Sequence, residues 1–188
     1  SGIILMVEFP HTACLGAGVI GASWTALFLA SGRSVAVFDP SPKAGKSVRD
    51  YIDRAWPAME ELGLTANGTP DAVSFHSSAA AAVDGASFVQ ENVPERIAVK
   101  HAAYAEIEPV LQQDAVVASS ASGLTLGQMQ GGWKDPARFV LGHPFNPPHL
   151  IPLVEVMGND KTGEGVVEAA ERFYESIGKV TIRVNKEV

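Results

Sequence analysis

Short apolar runs alternate with stretches of helical period along most of the chain. Thr12–Leu15 is apolar and runs straight into a glycine cluster. Val19, Ala22, Ala26 and Leu29 then recur on one side of a helix that ends near Ser31-Gly32. Ser34–Phe38 is short and β-branched, a second strand closing on Asp39. Lys43–Leu62 reads as a helix that Pro57 should kink or divide, because proline lacks the N–H that the helix needs. A turn-rich patch, Asn67-Gly68-Thr69-Pro70, leads to a third strand at Val73–His76. A short helix at Ala79–Val83 and a fourth strand at Ala86–Glu91 follow. Asn92 with Glu95 three residues on resembles a capping box, with Pro94 in the first turn. That predicts a helix from about Val93 to Ile107. Later strands are expected at Ala115–Ala118, Arg138–His143, Leu153–Met157 and Lys179–Val184. Before the last of them, Val166, Val167, Ala170, Phe173, Tyr174 and Ile177 lie at helical spacing, with Gly178 as the stop.

Strands alternating with helices predict an α/β fold: a doubly wound, mainly parallel Rossmann sheet with helices on both faces, one domain over residues 1–188. Composition narrows the partners. The formal net charge of -7 excludes a general nucleic-acid or anionic-membrane surface, which needs clustered Lys and Arg. The apolar run Ile3–Val7 is too short to span a bilayer. A single cysteine, Cys14, rules out a disulfide framework and suits a reducing cytoplasm.

Candidate chemistry begins at the glycine cluster. Gly16, Gly18 and Gly21 form G-x-G-x-x-G, in which the glycines give a tight turn, backbone access to a pyrophosphate and close packing of helix on strand. With Val19 and Ile20 they make a candidate cofactor cradle whose helix N-terminus aims N–H groups at phosphate oxygens. The motif alone is weak, but it follows a strand, opens a helix, and precedes a strand ending in an acid. Asp39 stands where a carboxylate accepts hydrogen bonds from the adenosine ribose, and its charge would repel a 2′-phosphate. NAD is therefore expected over NADP, with Lys43 and Lys46 as the nearby cations that argue the other way.

The second constellation is GHPFNPPHLIPLVE, residues 142–155. His143 falls at the carboxyl end of a strand, where open α/β sheets hold ligands, and Glu155 lies on the next strand. A hairpin-like return would bring the carboxylate to one ring nitrogen. That pairing orients the imidazole and suits a base that takes an alcohol proton while hydride leaves carbon. The other histidines, His11, His76, His101 and His149, sit where surface or capping roles suffice. No three-ligand metal set is visible, and the Ser119–Gly123 turn lacks the Gly-x-Ser-x-Gly elbow of a serine nucleophile.

Taken in order, GAGVIG, FDP, ENVPERIAVK, SSASGL and GHPFNPPHLIPLVEV resemble the L-3-hydroxyacyl-CoA dehydrogenase family over nearly the whole chain. They look closest to its L-gulonate 3-dehydrogenase (lambda-crystallin) and L-carnitine dehydrogenase branch. The resemblance implies His143 as catalytic base, Glu155 as its partner and Ser122 as a contact to the substrate hydroxyl. It implies Glu95, Lys100 and Asn146 at positions lining the cofactor or the active site, and NAD-dependent oxidation of a 3-hydroxy acid or its CoA thioester. A catalytically idle, crystallin-like NAD binder is the alternative. The span from Asp39 to Ser87 looks short for the helical excursion that binds CoA in the family. The chain also stops at Val188, where a helical dimerisation domain is expected to follow, so a longer, homodimeric natural protein is anticipated.

Overall fold

Side chains alternate across a strand, so consecutive residues of a buried strand must serve two opposite layers of helices. The computed structural model, which describes residues 7–185, shows this along the whole sheet. In chain order the elements are β1 (His11–Leu15), α1 (Val19–Ala30), β2 (Ser34–Phe38), α2 (Ala44–Glu61), β3 (Val73–Phe75), α3 (Ala79–Val83), β4 (Phe88–Glu91) and α4 (Ile97–Ile107). They continue with β5 (Val116–Ser119), α5 (Leu126–Gln130), β6 (Phe139–Pro144), β7 (Leu153–Met157), α6 (Val166–Ser176) and β8 (Val180–Arg183). Cys14, Val35, Val37, Phe88, Val116 and Ala118 face a core made with α1, α2 and α6. Their neighbours Ala13, Leu15, Val89 and Val117 face the other core, with α3, α4 and α5. The expected doubly wound arrangement with helices on both faces is what the chain adopts.

The sheet order is β3-β2-β1-β4-β5-β6-β7-β8. Every pairing from β3 to β6 is parallel, β7 runs antiparallel to β6, and β8 is parallel to β7. Connections leave β1 toward β2 on one side and return at β4 on the other. The crevice above the carboxyl ends of β1 and β4 is therefore the topological switch point, where this architecture holds ligands. The run Ile3–Val7 lies, except for Val7, outside the described residues. Among the described residues no helix is long and apolar enough to cross a membrane.

The division that was one of the two outcomes expected at Pro57 is absent, and one other expectation fails. Pro57 does not divide α2, which runs unbroken from Ala44 to Glu61. Val48 and Ile52 before it, and Ala55 and Met59 around it, are buried along one stripe, and that packing outweighs one lost backbone hydrogen bond. The capping box at Asn92 and Glu95 does not form, and α4 starts at Ile97 with Arg96 as its N-cap. Asn92 is engaged elsewhere: its N–H donates to the Leu15 carbonyl, its amide nitrogen donates to the Gln90 carbonyl, and its Oδ1 accepts from Ser120. Glu95 instead accepts from the Gly123 N–H at 2.9 Å. A capping box does exist at Thr125 and Gln128, where it starts α5.

At Gly142 the strand passes under a buried tyrosine. A Cβ there would lie 2.0 Å from Tyr174 Oη and 3.0 Å from Ala118 Cβ. Gly142→Ala should therefore destabilise the natural-length protein by about 1–3 kcal/mol, as overpacking of a filled core does. Urea denaturation checks this, and a midpoint equal to wild type would show that the tyrosine yields.

Candidate active site at the carboxyl edge of the sheet

The three loop glycines meet three different demands. Gly16 has φ +83°, and a Cβ there would come within 2.3 Å of the Asn92 carbonyl oxygen. A Cβ at Gly21 would lie 1.9 Å from the Gly16 carbonyl oxygen, so helix and turn touch backbone to backbone. At Gly18 a Cβ would meet nothing within 4 Å, which leaves room above the N-terminus of α1. Gly18 is the N-cap of that helix and gives it no side-chain cap, so the leading N–H groups at Val19 and Ile20 point into this room. An open cradle with uncapped donors and the positive end of a helix dipole fits a pyrophosphate. Asp39, at the end of β2, accepts from the Ala17 N–H at 2.7 Å and from the Ser41 N–H at 2.8 Å. Each carboxylate oxygen keeps a lone pair for a ribose hydroxyl. Lys46, one of the two cations near it, is paired with Asp50 at 2.6 Å.

His143 and Glu155 sit directly opposite each other in the antiparallel β6–β7 pairing, so their side chains share one face. His143 Nδ1 lies 3.2 Å from Glu155 Oε2, with both side chains part-exposed. The carboxylate accepts from Nδ1–H, which leaves Nε2 as the basic nitrogen. The pair lines a cleft of about 260 Å³. Ser122 and Thr125 form its polar wall, and Leu141, Met157 and Val184 give it an apolar floor. Ser122 is exposed on the turn after β5. Asn146 is exposed on the loop after His143. Glu95, through its bond to Gly123, borders the same turn.

Lys100 is a correction. It is buried rather than lining the cleft, and its Nζ donates to Glu91 Oε2 at 2.6 Å and to the Val93 carbonyl at 2.9 Å. Glu91 is fully buried and also accepts from the Val93 N–H, the Ser119 hydroxyl and the Tyr104 hydroxyl. Burial, with the Glu91 charge beside it, drives the Tyr104 phenol far above its ordinary range, so it stays a donor. Sequence reasoning passed over this cluster because its acid and base lie nine residues apart across a strand end and a helix.

It also passed over a second, part-buried cluster. Ser120 Oγ accepts from Gln90 Nε2 at 2.8 Å and from Trp24 Nε1 at 3.1 Å, and donates to Asn92 at 2.6 Å. Gln90 donates to the Gly142 carbonyl and accepts from the Tyr174 hydroxyl at 2.6 Å. His149, for which a surface or capping role was expected to suffice, is buried and bonded to Ser23 on α1 at 2.8 Å. Cys14 is no nucleophile: burial pushes its thiol up to about 12.

A doubly wound sheet with a glycine cradle, an acid at the end of the second strand and a histidine–carboxylate pair at one edge defines a dinucleotide-binding dehydrogenase domain. The sequence profile of the 3-hydroxyacyl-CoA dehydrogenase NAD-binding domain matches residues 11–188, and the chain belongs to that family. It is 45% identical over 181 residues to an L-carnitine dehydrogenase of Streptomyces griseus subsp. griseus, covering 96% of this chain and 54% of that protein. A solved structure of 5-formyl-3-hydroxy-2-methylpyridine 4-carboxylic acid 5-dehydrogenase, an NAD+-dependent dismutase, superposes with TM-score 0.89 at 33% identity. It covers 96% of this chain and 59% of that one. The 3-hydroxybutyryl-CoA dehydrogenase of Escherichia coli K12 superposes with TM-score 0.86 at 26% identity, over 95% of this chain and 39% of that one. The chain thus spans about half the length of the relatives it matches.

Removing one partner of a buried ion pair strands the other charge. Lys100→Met should destabilise the natural-length protein by about 3–5 kcal/mol, with Glu91 left uncompensated. Chemical denaturation measures this, and a loss under about 1 kcal/mol would show that the pair is dispensable.

Proposed function

We propose that the protein containing this domain oxidises the hydroxyl-bearing carbon of a small 3-hydroxy acid, with L-carnitine as the leading substrate. The observation that carries the reading is the His143–Glu155 pair, 3.2 Å apart in a cleft that also holds Ser122, at the same sheet edge as the glycine cradle. Bound at that cradle, NAD supplies the hydride acceptor. Gly16, Gly18, Val19, Ile20 and Gly21 would hold its pyrophosphate and Asp39 its adenosine ribose, while Glu95 and Asn146 border the nicotinamide side. The Ser122 hydroxyl orients the substrate hydroxyl toward His143. His143 Nε2 takes the hydroxyl proton as the C–H bond delivers its hydride, and Glu155 stabilises the imidazolium that results. Ionised Asp39, fixed by two backbone donors, disfavours a 2′-phosphate.

The cleft supports a free, cationic acid over a CoA thioester. Among the described residues its lining includes Glu155 and no lysine or arginine, and Glu95 borders the Gly123 wall. Between Asp39 and Ser87 the chain builds only α2, β3 and α3. A substrate with a quaternary ammonium suits such walls, and relatives named L-carnitine dehydrogenase agree. The substrate carboxylate then needs a cation from the remainder of the protein, which we take to be a helical domain following Val188 that also builds a homodimer. A cytoplasmic site of action fits the lone buried cysteine.

NADH production by the natural-length protein on L-carnitine, L-gulonate, L-3-hydroxybutyrate and 3-hydroxybutyryl-CoA should give the highest kcat/KM on L-carnitine. A preference for the thioester would overturn the substrate reading. His143→Gln should lower kcat at least about a hundredfold, the contribution of a general base, with NADH affinity retained. In fluorescence titrations NADH should bind at least about tenfold tighter than NADPH, and equal affinities would remove Asp39 from the ribose site.

A further inference from the structure

The stretch between the catalytic strands, residues 145–152, is held from outside its own backbone by residues with no part in the chemistry above. Within it, the Leu150 and Ile151 N–H groups both donate to the Pro147 carbonyl at 3.0 Å. From α1, the Ser23 hydroxyl accepts from the His149 N–H at 2.9 Å and meets His149 Nδ1 at 2.8 Å. From α2, the Tyr51 hydroxyl lies 3.3 Å from the same nitrogen. From the junction of α6 and β8, Lys179 reaches in with its ammonium, donating to the Pro148 carbonyl and, at 2.5 Å, to the Ile151 carbonyl. Lys179 is 6% exposed and lies 5.3 Å above the Trp24 ring, so its charge is met by carbonyl dipoles and an indole face.

Burial on that scale is costly for an ammonium and lowers the Lys179 pKa to about 8. Burial, with the Lys179 charge second, also lowers the His149 pKa and keeps its imidazole neutral. A neutral ring with Nδ1 as acceptor takes the Ser23 hydroxyl as donor at 2.8 Å, with the Tyr51 hydroxyl beside it at 3.3 Å. Packing of hydrocarbon would fill the same space at lower electrostatic cost, so the polar design needs a reason beyond stability. Its placement supplies one. Ser23 sits on the helix whose N-terminus is the cofactor cradle. The stretch it grips begins at Phe145, whose ring lies 5.9 Å from that of His143.

We infer that Ser23, His149 and Lys179 form a positioning knot that ties the cofactor-binding helix to the 145–152 loop and so sets the substrate side of the cleft relative to the nicotinamide side. Strand pairing already places His143 against Glu155. The knot places Phe145 and Asn146, at the start of the loop. Its three members are positioning residues and touch no reacting atom. The inference rests on the dehydrogenase reading of the cleft, and its test has a readout independent of turnover.

The natural-length protein is compared as wild type, Lys179→Met, Ser23→Ala and the double variant. Three quantities are measured: kcat and KM on L-carnitine, the NADH Kd by fluorescence, and amide exchange of residues 145–152 by mass spectrometry. Each single variant should lower kcat/KM about tenfold through loss of alignment, keep the NADH Kd within about twofold, and speed exchange in this loop alone. The double variant should lose little more than the worse single one, since both release the same loop. Tyr51→Phe, which removes one part-buried hydroxyl, is the milder probe if Ser23→Ala does not fold, and it too should speed exchange in the loop. Unchanged exchange and kcat/KM within about twofold of wild type would overturn the inference. So would NADH affinity that falls in step with turnover, because the contacts would then support the whole domain. If wild type is inactive on the whole substrate panel, the functional reading fails, and loop exchange at unchanged NADH affinity still decides the knot.

Discussion

Hydrogen bonds that meet at Ser120 hold the two halves of the site in one frame. Its hydroxyl takes protons from Trp24 on α1 and Gln90 on β4 and gives its own to Asn92, beside the glycine turn. Gln90 carries the chain of contacts on to the Gly142 carbonyl, next to His143, and to Tyr174 on α6. Trp24, Gln90 and Tyr174 are buried, so their polar atoms must be satisfied, and an unmet partner costs about 1–3 kcal/mol; Ser120 and Asn92 are part-buried. The cluster therefore admits one arrangement of α1, β4, β5, β6 and α6. The glycine turn and His143 are fixed to each other because both are fixed to it.

The Glu91 cluster does a related task with charge. Lys100 from α4 and Tyr104 one turn later reach the same carboxylate that Ser119 reaches from β5. Lys100 also lies 3.8 Å from Glu95, whose other oxygen holds the Gly123 N–H beside Ser122. A buried ion pair adds little net stability over a hydrocarbon core, but it is unforgiving of misplacement. Its value here is geometric: it sets the Pro94–Arg96 segment and the Ser122 turn against each other at the rim of the cleft.

Much of this was legible in the chain itself, for physical reasons. Parallel strands buried on both faces give apolar runs too regular to miss, and Gly16, Gly18 and Gly21 occupy positions where a side chain would strike backbone or block the cradle. The His143–Glu155 pairing followed from a proline-rich return between two strands, and the antiparallel register supplies the contact. Local signals failed where long-range bonds outbid them. Asn92 has the residue type of a cap, yet Ser120 and Gln90 claim its side chain. Pro57 has the residue type of a breaker, yet the buried stripe of α2 carries the helix through it. Gln90, Tyr174 and Lys179 bear no motif, and only the fold brings Gln90 and Tyr174 to Ser120. The capping box at Thr125 and Gln128 was readable and explains why the Ser122 turn ends so sharply.

The two sides of the site differ in kind. The cradle is made of backbone: glycines, helix N–H groups and an aspartate whose oxygens are held by main-chain donors. Such a site changes little with side-chain substitution, which suits a cofactor common to many relatives. The cleft beside it is made of side chains, with His143 and Glu155 part-exposed and an apolar floor of Leu141, Met157 and Val184. Among the described residues that line it, the charged groups are the pair itself, with no lysine or arginine. The described residues thus bring a cradle built of backbone and a cleft built of side chains to the same side of the sheet. That division follows from the sheet: parallel strand ends deliver backbone to the glycine cradle, and the antiparallel return from β6 to β7 delivers side chains to the cleft.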